Sequence, residues 1–399
     1  MPDQHDHDVL LAAPVRTPIG KFGGALSSLS AADLGTNAAR AALDRASLDP
    51  SRVDQVIFGH ARQAGGGPNT ARQIAFRSGV PVDRPAFTVN QACASGLQAV
   101  LSAARTILTG EARVVLAGGT ESMSNTPYLL PRARWGYRMG HAEIVDGMYR
   151  DGFNCPLSEM VMGETAEELA AEMGIGRAAS DAYALESQLR CERARAEGRF
   201  ESEIVPVMVE GKKGTVTVDQ DEHPRDGTTL ASLAKLPAVF RAGGAVTAGN
   251  ASGITDGAAA IVVASRAAAR ELGLPVVARL VGWEVVGVDP RIMGIGPVPA
   301  VRRLLKKAGL EAGAIDEVEL NEAFACQVLA CNQELGFDAA RLNPDGGAIA
   351  LGHPIGATGT RILVTLLHGL EKRGGKRGIA TLCVSGGMGV AALVEREAA

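Results

Sequence analysis

Residues 87–119 read FTVNQACASGLQAVLSAARTILTGEARVVLAGG, and this stretch decides how the chain folds. Phe87 to Asn90 is a short β-rich run. Leu97, Leu101, Ala104 and Leu108 recur at helical spacing and form one apolar face. Val114 to Ala117 is a continuous apolar run, the mark of a buried strand, closed by Gly118 and Gly119. Strand, amphipathic helix and buried strand in succession predict a layered α/β sheet.

The same alternation extends outward in both directions. Val9 to Ala13 reads as a strand. Ala31 to Ala46 has helical spacing, with Ser30 as its N-cap and Asp33 in the first turn. Val53 to Gly59 is a second strand, and Asn69 to Ser78 is helical. After Gly119 the character changes. From about Asn125 to Ala245 the chain is richer in charge and irregular segments, with helices at Gly163 to Met173 and Ser180 to Glu197. Arg132, Arg134, Arg138 and Arg150 read as a solvated or interface surface. The last third returns to the first pattern. Val276 to Val288, Glu317 to Leu320, Ile379 to Val384 and Val390 to Glu395 are strands; Val298 to Ala308, Ala323 to Glu334 and Ala357 to Glu371 are helices. The outer thirds share an order of elements without a residue-by-residue repeat, so a duplicated architecture is a topological expectation.

Composition sets limits on function. A chain of 399 residues predicts two or three packed units, at ~150 residues per domain. Hydrophobic residues make up 46% and charged residues 21%, an ordinary globular balance. Aromatics are only 4% while glycines number 49, so the core is filled by small and aliphatic side chains with closely packed backbones. A formal net charge of -4 gives no footprint for nucleic acid. Six scattered cysteines without a C-x-x-C pair, the absence of a signal peptide, and no apolar run long enough for a membrane span all point to a reducing cytoplasm. The polar start of the chain, with His5 and His7, reads as a solvated tail in preference to a metal site.

Four segments carry chemistry. Cys93 stands between a short strand and an Ala-rich helix, where free N–H groups and positive potential lower a thiol pKa and hold an oxyanion; a buried structural cysteine is the competing reading. Asn321 follows a strand end, where open α/β sheets place their sites, and either orients a water or carbonyl or caps a helix. His353 sits in a glycine loop, Gly346 to Pro354, pinned by Gly352 and Pro354. Cys383 opens the turn Cys383-Val384-Ser385-Gly386-Gly387-Met388-Gly389, which alone is equally a phosphate-cradling turn or a hairpin. No P-loop and no H-E-x-x-H motif occurs.

Together with Pro14 to Gly24 and Ala248 to Gly253, these segments make the chain resemble the thiolase family from end to end. The resemblance implies a duplicated α-β-α-β-α five-layered architecture with an inserted loop domain. Residues 1–123 plus 247–275 would form the N-terminal domain, 124–246 the loop domain over the active site, and 276–399 the C-terminal domain. It also implies roles. Cys93 would be the acyl-accepting nucleophile, His353 its activating imidazole, Cys383 the acid/base cysteine, and Asn321 the holder of a catalytic water. The backbone N–H groups of Cys93 and Ser385 would form an oxyanion hole. Arg225 would contact the nucleotide end of coenzyme A, Ser252 the pantetheine, and Met162 and Phe324 the pocket walls.

The activity implied is that of an acetyl-CoA C-acetyltransferase, a reversible Claisen condensation of two acetyl-CoA to acetoacetyl-CoA plus CoA through an acyl-cysteine. The alternative is a broad-chain 3-ketoacyl-CoA thiolase of fatty-acid β-oxidation, which a comparison of acetoacetyl-CoA and 3-ketooctanoyl-CoA cleavage would separate. A third reading is a non-catalytic CoA or lipid carrier of the same fold, which needs neither thiol. The expected partners are acetyl-CoA and 3-ketoacyl-CoA substrates, with no metal, no redox cofactor, no nucleic acid and no membrane. A homo-oligomer, dimer or tetramer, is expected by family analogy. Two departures stand out: Ser385 where many members have glycine, and Val161 where many acetoacetyl-specific members have histidine.

Overall fold

The computed structural model describes residues 8–212 and 214–397; His5 and His7 lie outside the described residues. The first half contains strands β1 (Val9–Arg16), β2 (Gln55–Gly59), β3 (Ala86–Val89), β4 (Val114–Ser122) and β5 (Thr255–Ser265), with helices α1 (Ala31–Arg45), α2 (Thr70–Arg77) and α3 (Ser95–Leu108). Helices α4 (Met162–Glu172) and α5 (Arg177–Ala196) lie between β4 and β5. The second half contains β6 (Val276–Gly287), β7 (Glu317–Leu320), β8 (Arg377–Val384) and β9 (Met388–Arg396), with α6 (Pro297–Ala308), α7 (Ala325–Leu335) and α8 (Ile355–Arg373).

The nine strands run as one mixed sheet in the order β7-β8-β9-β6-β1-β5-β4-β2-β3, with Gly20–Lys21 added beside β5. Its two halves repeat one another. In each, the first strand pairs antiparallel with the last (β1 with β5, β6 with β9). The last pairs antiparallel with its predecessor (β5 with β4, β9 with β8). That predecessor pairs parallel with the next strand out (β4 with β2, β8 with β7). The halves join through β1 and β6. The expected duplication is thus present in the topology.

Strand alternation sorts side chains onto two faces and so sets the layers. In β5, Ala258, Ala260, Val262 and Ala264 pack with α1 and α2, while Ile261 and Val263 face α3 and α8. In β9, Val390, Ala392 and Val394 face α8, while Ala391 and Leu393 pack with α6 and α7. Five layers result, with α3 and α8 as the central one. Local signals agree: Ser30 Oγ accepts the Asp33 N–H, the Asp33 carboxylate accepts the Ser30 N–H, and α1 starts at this capping box.

Three sequence expectations need correction. β4 does not close at Gly118 and Gly119 but runs on to Ser122. The glycines are part of the strand because a Cβ at 118 would stand 2.5 Å from the Phe58 ring, and one at 119 only 2.3 Å from the Gly356 carbonyl. β5, an unforeseen strand, is central to the first half. The α7 helix starts at Ala325 with Phe324 at its N-cap, two residues later than expected.

The segment between β4 and β5, residues 123–254, folds over the strand ends. The matching connection in the second half, between β8 and β9, is a turn of three residues. The long segment is tied down by the fully buried Arg16 of β1. Its Nε bonds Glu203 at 2.5 Å, and its two Nη atoms bond Asp221 at 2.7 and 2.9 Å, so the buried cation is met by two carboxylates through directional bonds. Arg132, Arg134, Arg138 and Arg150 are exposed, as expected. No described helix is long and apolar enough to cross a membrane.

The central helices cross backbone to backbone. A Cβ at Gly96 would lie 2.8 Å from the Thr360 amide nitrogen, and one at Gly359 only 2.4 Å from the Leu97 amide nitrogen. Neither neighbour is a flexible side chain that could move aside. Gly359→Ala should therefore lower stability by about 1–3 kcal/mol, the usual cost of overpacking, and reduce activity with it. Gly282→Ala is the control, since its Cβ meets only a Leu304 methyl at an ordinary 3.5 Å. Thermal unfolding midpoints check this; equal midpoints for the two variants would contradict a tight crossing.

Candidate active site

Cys93 lies in a single 3-10 turn, Ala92–Ala94, between β3 and α3. It precedes the helix, which begins at Ser95, and does not open it as expected. Side chains fix this turn. Asn90 Oδ1 accepts the Ala92 N–H at 3.0 Å; Ser95 Oγ accepts the Gln91 N–H at 2.9 Å and donates to the Ala92 carbonyl at 2.7 Å. They hold Ala92 in the left-handed region at φ 44, which costs about 1–2 kcal/mol for a residue with a Cβ. Cys93 is half-buried on a cavity, whereas the other five cysteines are buried. The backbone N–H groups of Ser385 and of Cys93 itself lie near its sulfur and pull the thiol pKa down.

His353 enters from the other central helix, just before α8. Its N–H donates to the Gly253 carbonyl at 3.1 Å, and Gly352 before it takes φ 98. Nδ1 lies 2.6 Å from Thr358 Oγ1, whose hydroxyl donates to the Pro354 carbonyl at 2.9 Å. The hydroxyl proton is thus committed, which assigns the imidazole proton to Nδ1 and leaves Nε2 as an acceptor. Burial, with Arg361 and Arg62 nearby, lowers the imidazole pKa to about 3, so His353 is neutral.

Asn321 is buried directly after β7, with its N–H on the Thr381 carbonyl at 3.0 Å. Its Nδ2 lies 3.5 Å from His353 Nε2, and its Oδ1 has no partner among the described residues. Because Phe324 is the N-cap of α7, the capping reading of Asn321 does not hold. Cys383 is buried at the end of β8, paired with Gly389 across the hairpin. Gly386 and Gly387 take φ 88 and 85; Ser385 does not have positive φ, so a side chain there is unstrained.

Burial decides the thiol titrations. It pushes Cys93 up against the opposing pull of the Ser385 N–H, Arg62 and its own N–H, so the net direction is upward. The expectation of a lowered pKa fails because desolvation outweighs these donors. Cys383 is pushed well above the ordinary thiol range, by burial first and by the neighbouring Cys93 second.

The cavity, about 210 Å³, is lined by Cys93, His353, Cys383 and Ser385 on its floor. Ser252, Met162 and Phe324 lie in its walls, with Phe240 and Met293 beside them. Arg225 is not brought in. It is exposed on a turn held by its N–H on Gln188 Oε1 at 3.0 Å, and approaches the rim only through His223, against which a Cβ at Gly253 would clash.

Sequence reading missed Thr358, Arg62, and the fully buried Glu121. The Glu121 carboxylate accepts N–H groups of Ala61 (3.2 Å), Arg62 (3.1 Å) and Gly356 (2.8 Å), and lies 3.2 Å from His60 Nε2. Burial alone would raise its pKa; His60, Arg62 and the Gly356 N–H outweigh that and lower it. It therefore clips the start of α8 to the end of β2. The strand-end rule that flagged Asn321 applies equally to Arg62 and Glu121, at the ends of β2 and β4, but not to Thr358, which lies within α8.

With a raised thiol pKa and a neutral imidazole, Cys93 holds little thiolate at neutral pH. Its alkylation by iodoacetamide should climb about tenfold per pH unit across the neutral range, with Cys93 modified before the buried Cys155 and Cys191. Peptide mapping over a pH series checks this. A plateau at neutral pH would reveal a preformed thiolate–imidazolium pair.

Sequence models of the thiolase N-terminal domain and the thiolase C-terminal domain match residues 9–267 and 274–396. An acetyl-CoA acetyltransferase of Pseudomonas aeruginosa is 51% identical over 391 residues, 98% of this chain and 100% of the relative. One from Cupriavidus necator is 49% identical over 391 residues, with the same coverage. Among solved structures, the Bacillus anthracis acetyl-CoA acetyltransferase superposes with a TM-score of 0.96 at 44% identity, covering 98% of this chain and 99% of that one. Human mitochondrial 3-ketoacyl-CoA thiolase gives 0.95 at 43%, covering 98% and 100%. The chain belongs to the thiolase family.

Proposed function

We propose that this chain is an acetyl-CoA C-acetyltransferase that condenses two acetyl-CoA into acetoacetyl-CoA and CoA, and runs the reverse cleavage. The observation that carries this reading is the meeting of two thiols and one neutral imidazole in a single cavity, beside Ser385. A carrier needs none of these groups. The two bacterial acetyltransferases matched over nearly their whole length support the acetyl assignment.

Protons balance through the cycle. Cys93 gives its proton to His353 Nε2 as its sulfur attacks the acetyl thioester; the Cys93 and Ser385 N–H groups receive the developing oxyanion. Cys383 protonates the departing CoA thiolate and is left as a thiolate. A second acetyl-CoA then loses its Cα proton to Cys383. The protonated His353 and a water on Asn321 hold the enolate oxygen. The enolate attacks acetyl-Cys93, the C–S bond breaks, and Cys93 recovers its proton from His353. The burial that raises the Cys383 thiol has a use here, because a strongly basic thiolate suits a weak carbon acid.

Ser252, Met162 and Phe324 shape the wall along which pantetheine lies, and the exposed Arg225 meets the phosphate-bearing nucleotide end outside the cavity. Coenzyme A enters as substrate, and no step calls for a metal or redox cofactor. The enzyme works as a homo-oligomer, a dimer or tetramer, in the cytoplasm, in fatty acid metabolism.

The division of labour between the thiols is testable in one single-turnover assay with labelled acetyl-CoA. Cys93→Ala should take no acid-stable label. Cys383→Ala should still take label, though more slowly, while losing condensation by about 10²–10⁴-fold. Label on Cys383 in the Cys93 variant, or near wild-type condensation by Cys383→Ala, would refute the reading.

A further inference from the structure

Arg62 takes no part in that cycle, yet it lines the same cavity as Cys93 and His353. Its residue is only 7% exposed. Among the described residues its guanidinium makes no hydrogen bond and no ion pair, and its Nε is buried without an acceptor. Its nearest aromatic neighbour is Phe153, with the guanidinium carbon 5.8 Å from the ring centre. Glu121 feels the charge of Arg62 but makes no hydrogen bond to its guanidinium: that carboxylate is engaged by three backbone N–H groups, one of them Arg62's own, and by His60.

The surroundings are fitted to this side chain. A Cβ at Gly152 would stand 2.3 Å from the guanidinium carbon, so the wall carries no side chain where the fork lies. Beside it, Cys93 and Phe153 pack against a small apolar group of Ala61, Met123, Met148 and Ile355. A buried cation without an acceptor is costly, and the cost is recovered when a matched anion arrives. A planar guanidinium fork at the end of an apolar wall fits a carboxylate at the end of a methylene chain.

We propose that Arg62 makes the acyl side of this cavity a receptor for a terminal carboxylate, so that 3-keto-dicarboxylyl-CoA thioesters are substrates alongside acetoacetyl-CoA. The inference rests on the thiolase reading and extends its substrate class. In the cleavage direction, Cys93 sulfur attacks the 3-keto carbon and the C2–C3 bond breaks. Its electron pair stays on C2 as the acetyl-CoA enolate, which Cys383 protonates. CoA then takes the carboxylate-ended acyl group from Cys93, leaving a shortened dicarboxylyl-CoA.

The test measures thiolytic cleavage of 3-ketoacyl-CoA thioesters of increasing chain length, each ending in a free carboxylate or in its uncharged methyl ester. At the length that spans Cys93 to Arg62, the wild-type enzyme should favour the acid over the ester in kcat/KM by about tenfold or more. Arg62→Leu should erase or invert that ratio, and Arg62→Lys should keep part of it. Preference for the ester at every length, or an unchanged ratio in Arg62→Leu, overturns the proposal. Should Arg62→Leu not fold, the wild-type ratio and Arg62→Lys decide in the same sense: an acid preference that Lys weakens supports it, and none overturns it. Absence of acetoacetyl-CoA cleavage by the wild type would instead sink the thiolase reading, whereas normal acetoacetyl-CoA cleavage without acid preference sinks this inference alone.

Discussion

Everything in the site depends on two helices touching without side chains between them. Gly96 of α3 meets Thr360 of α8, and Gly359 of α8 meets Leu97 of α3, at distances that admit no Cβ. That crossing puts the starts of both helices at one point between the sheet halves. The chain just before one start is Cys93, and just before the other is His353. Glu121 completes the arrangement by bonding the Gly356 amide in the first turn of α8 and the Ala61 and Arg62 amides beyond β2 with one carboxylate. The duplicated topology then supplies asymmetric chemistry from equivalent places. The β4–β5 connection grows into a roof over the cavity, and the β8–β9 connection shrinks to the turn that brings Ser385 to the same cavity as Cys93.

The same close packing fixes the protonation states. Burial drives both thiols up and the imidazole down, so each reacting group rests in its neutral form. A neutral resting site avoids holding an ion pair in a desolvated cavity, where each ion costs several kcal/mol. In the proposed cycle, charges appear only as substrate bonds are made and broken, and the N–H groups of Cys93 and Ser385 meet them. Arg62 is the exception, a cation placed in the cavity wall without a protein acceptor.

Much of this is legible in the sequence. The strand–helix–strand reading of residues 87–119 holds, because apolar periodicity reports burial directly. Cys93 stood out at a strand-to-helix junction, His353 and Cys383 through their glycine-rich surroundings, and the structure gathers them in one cavity. What was not legible depends on tertiary contact. β5 lies in a run of alanines and valines without alternation, since both its faces are covered. Gly118 and Gly119 resembled a strand end, although they serve close approach within a strand. The thiol pKa was misjudged because the helix-start effect is local whereas desolvation is set by the whole fold. Thr358 and Glu121 carry no motif; only the crossing brings them to the site.

The claim on which the account rests most is that Cys93 is a neutral thiol in the resting enzyme. The infrared difference spectrum of wild type minus Cys93→Ser at neutral pH measures it directly, through the S–H stretch. The account predicts a band assigned to a protonated Cys93 that the variant lacks. No difference in the S–H region would mean that Cys93 rests as a thiolate, and would contradict a site whose groups ionise only when substrate arrives.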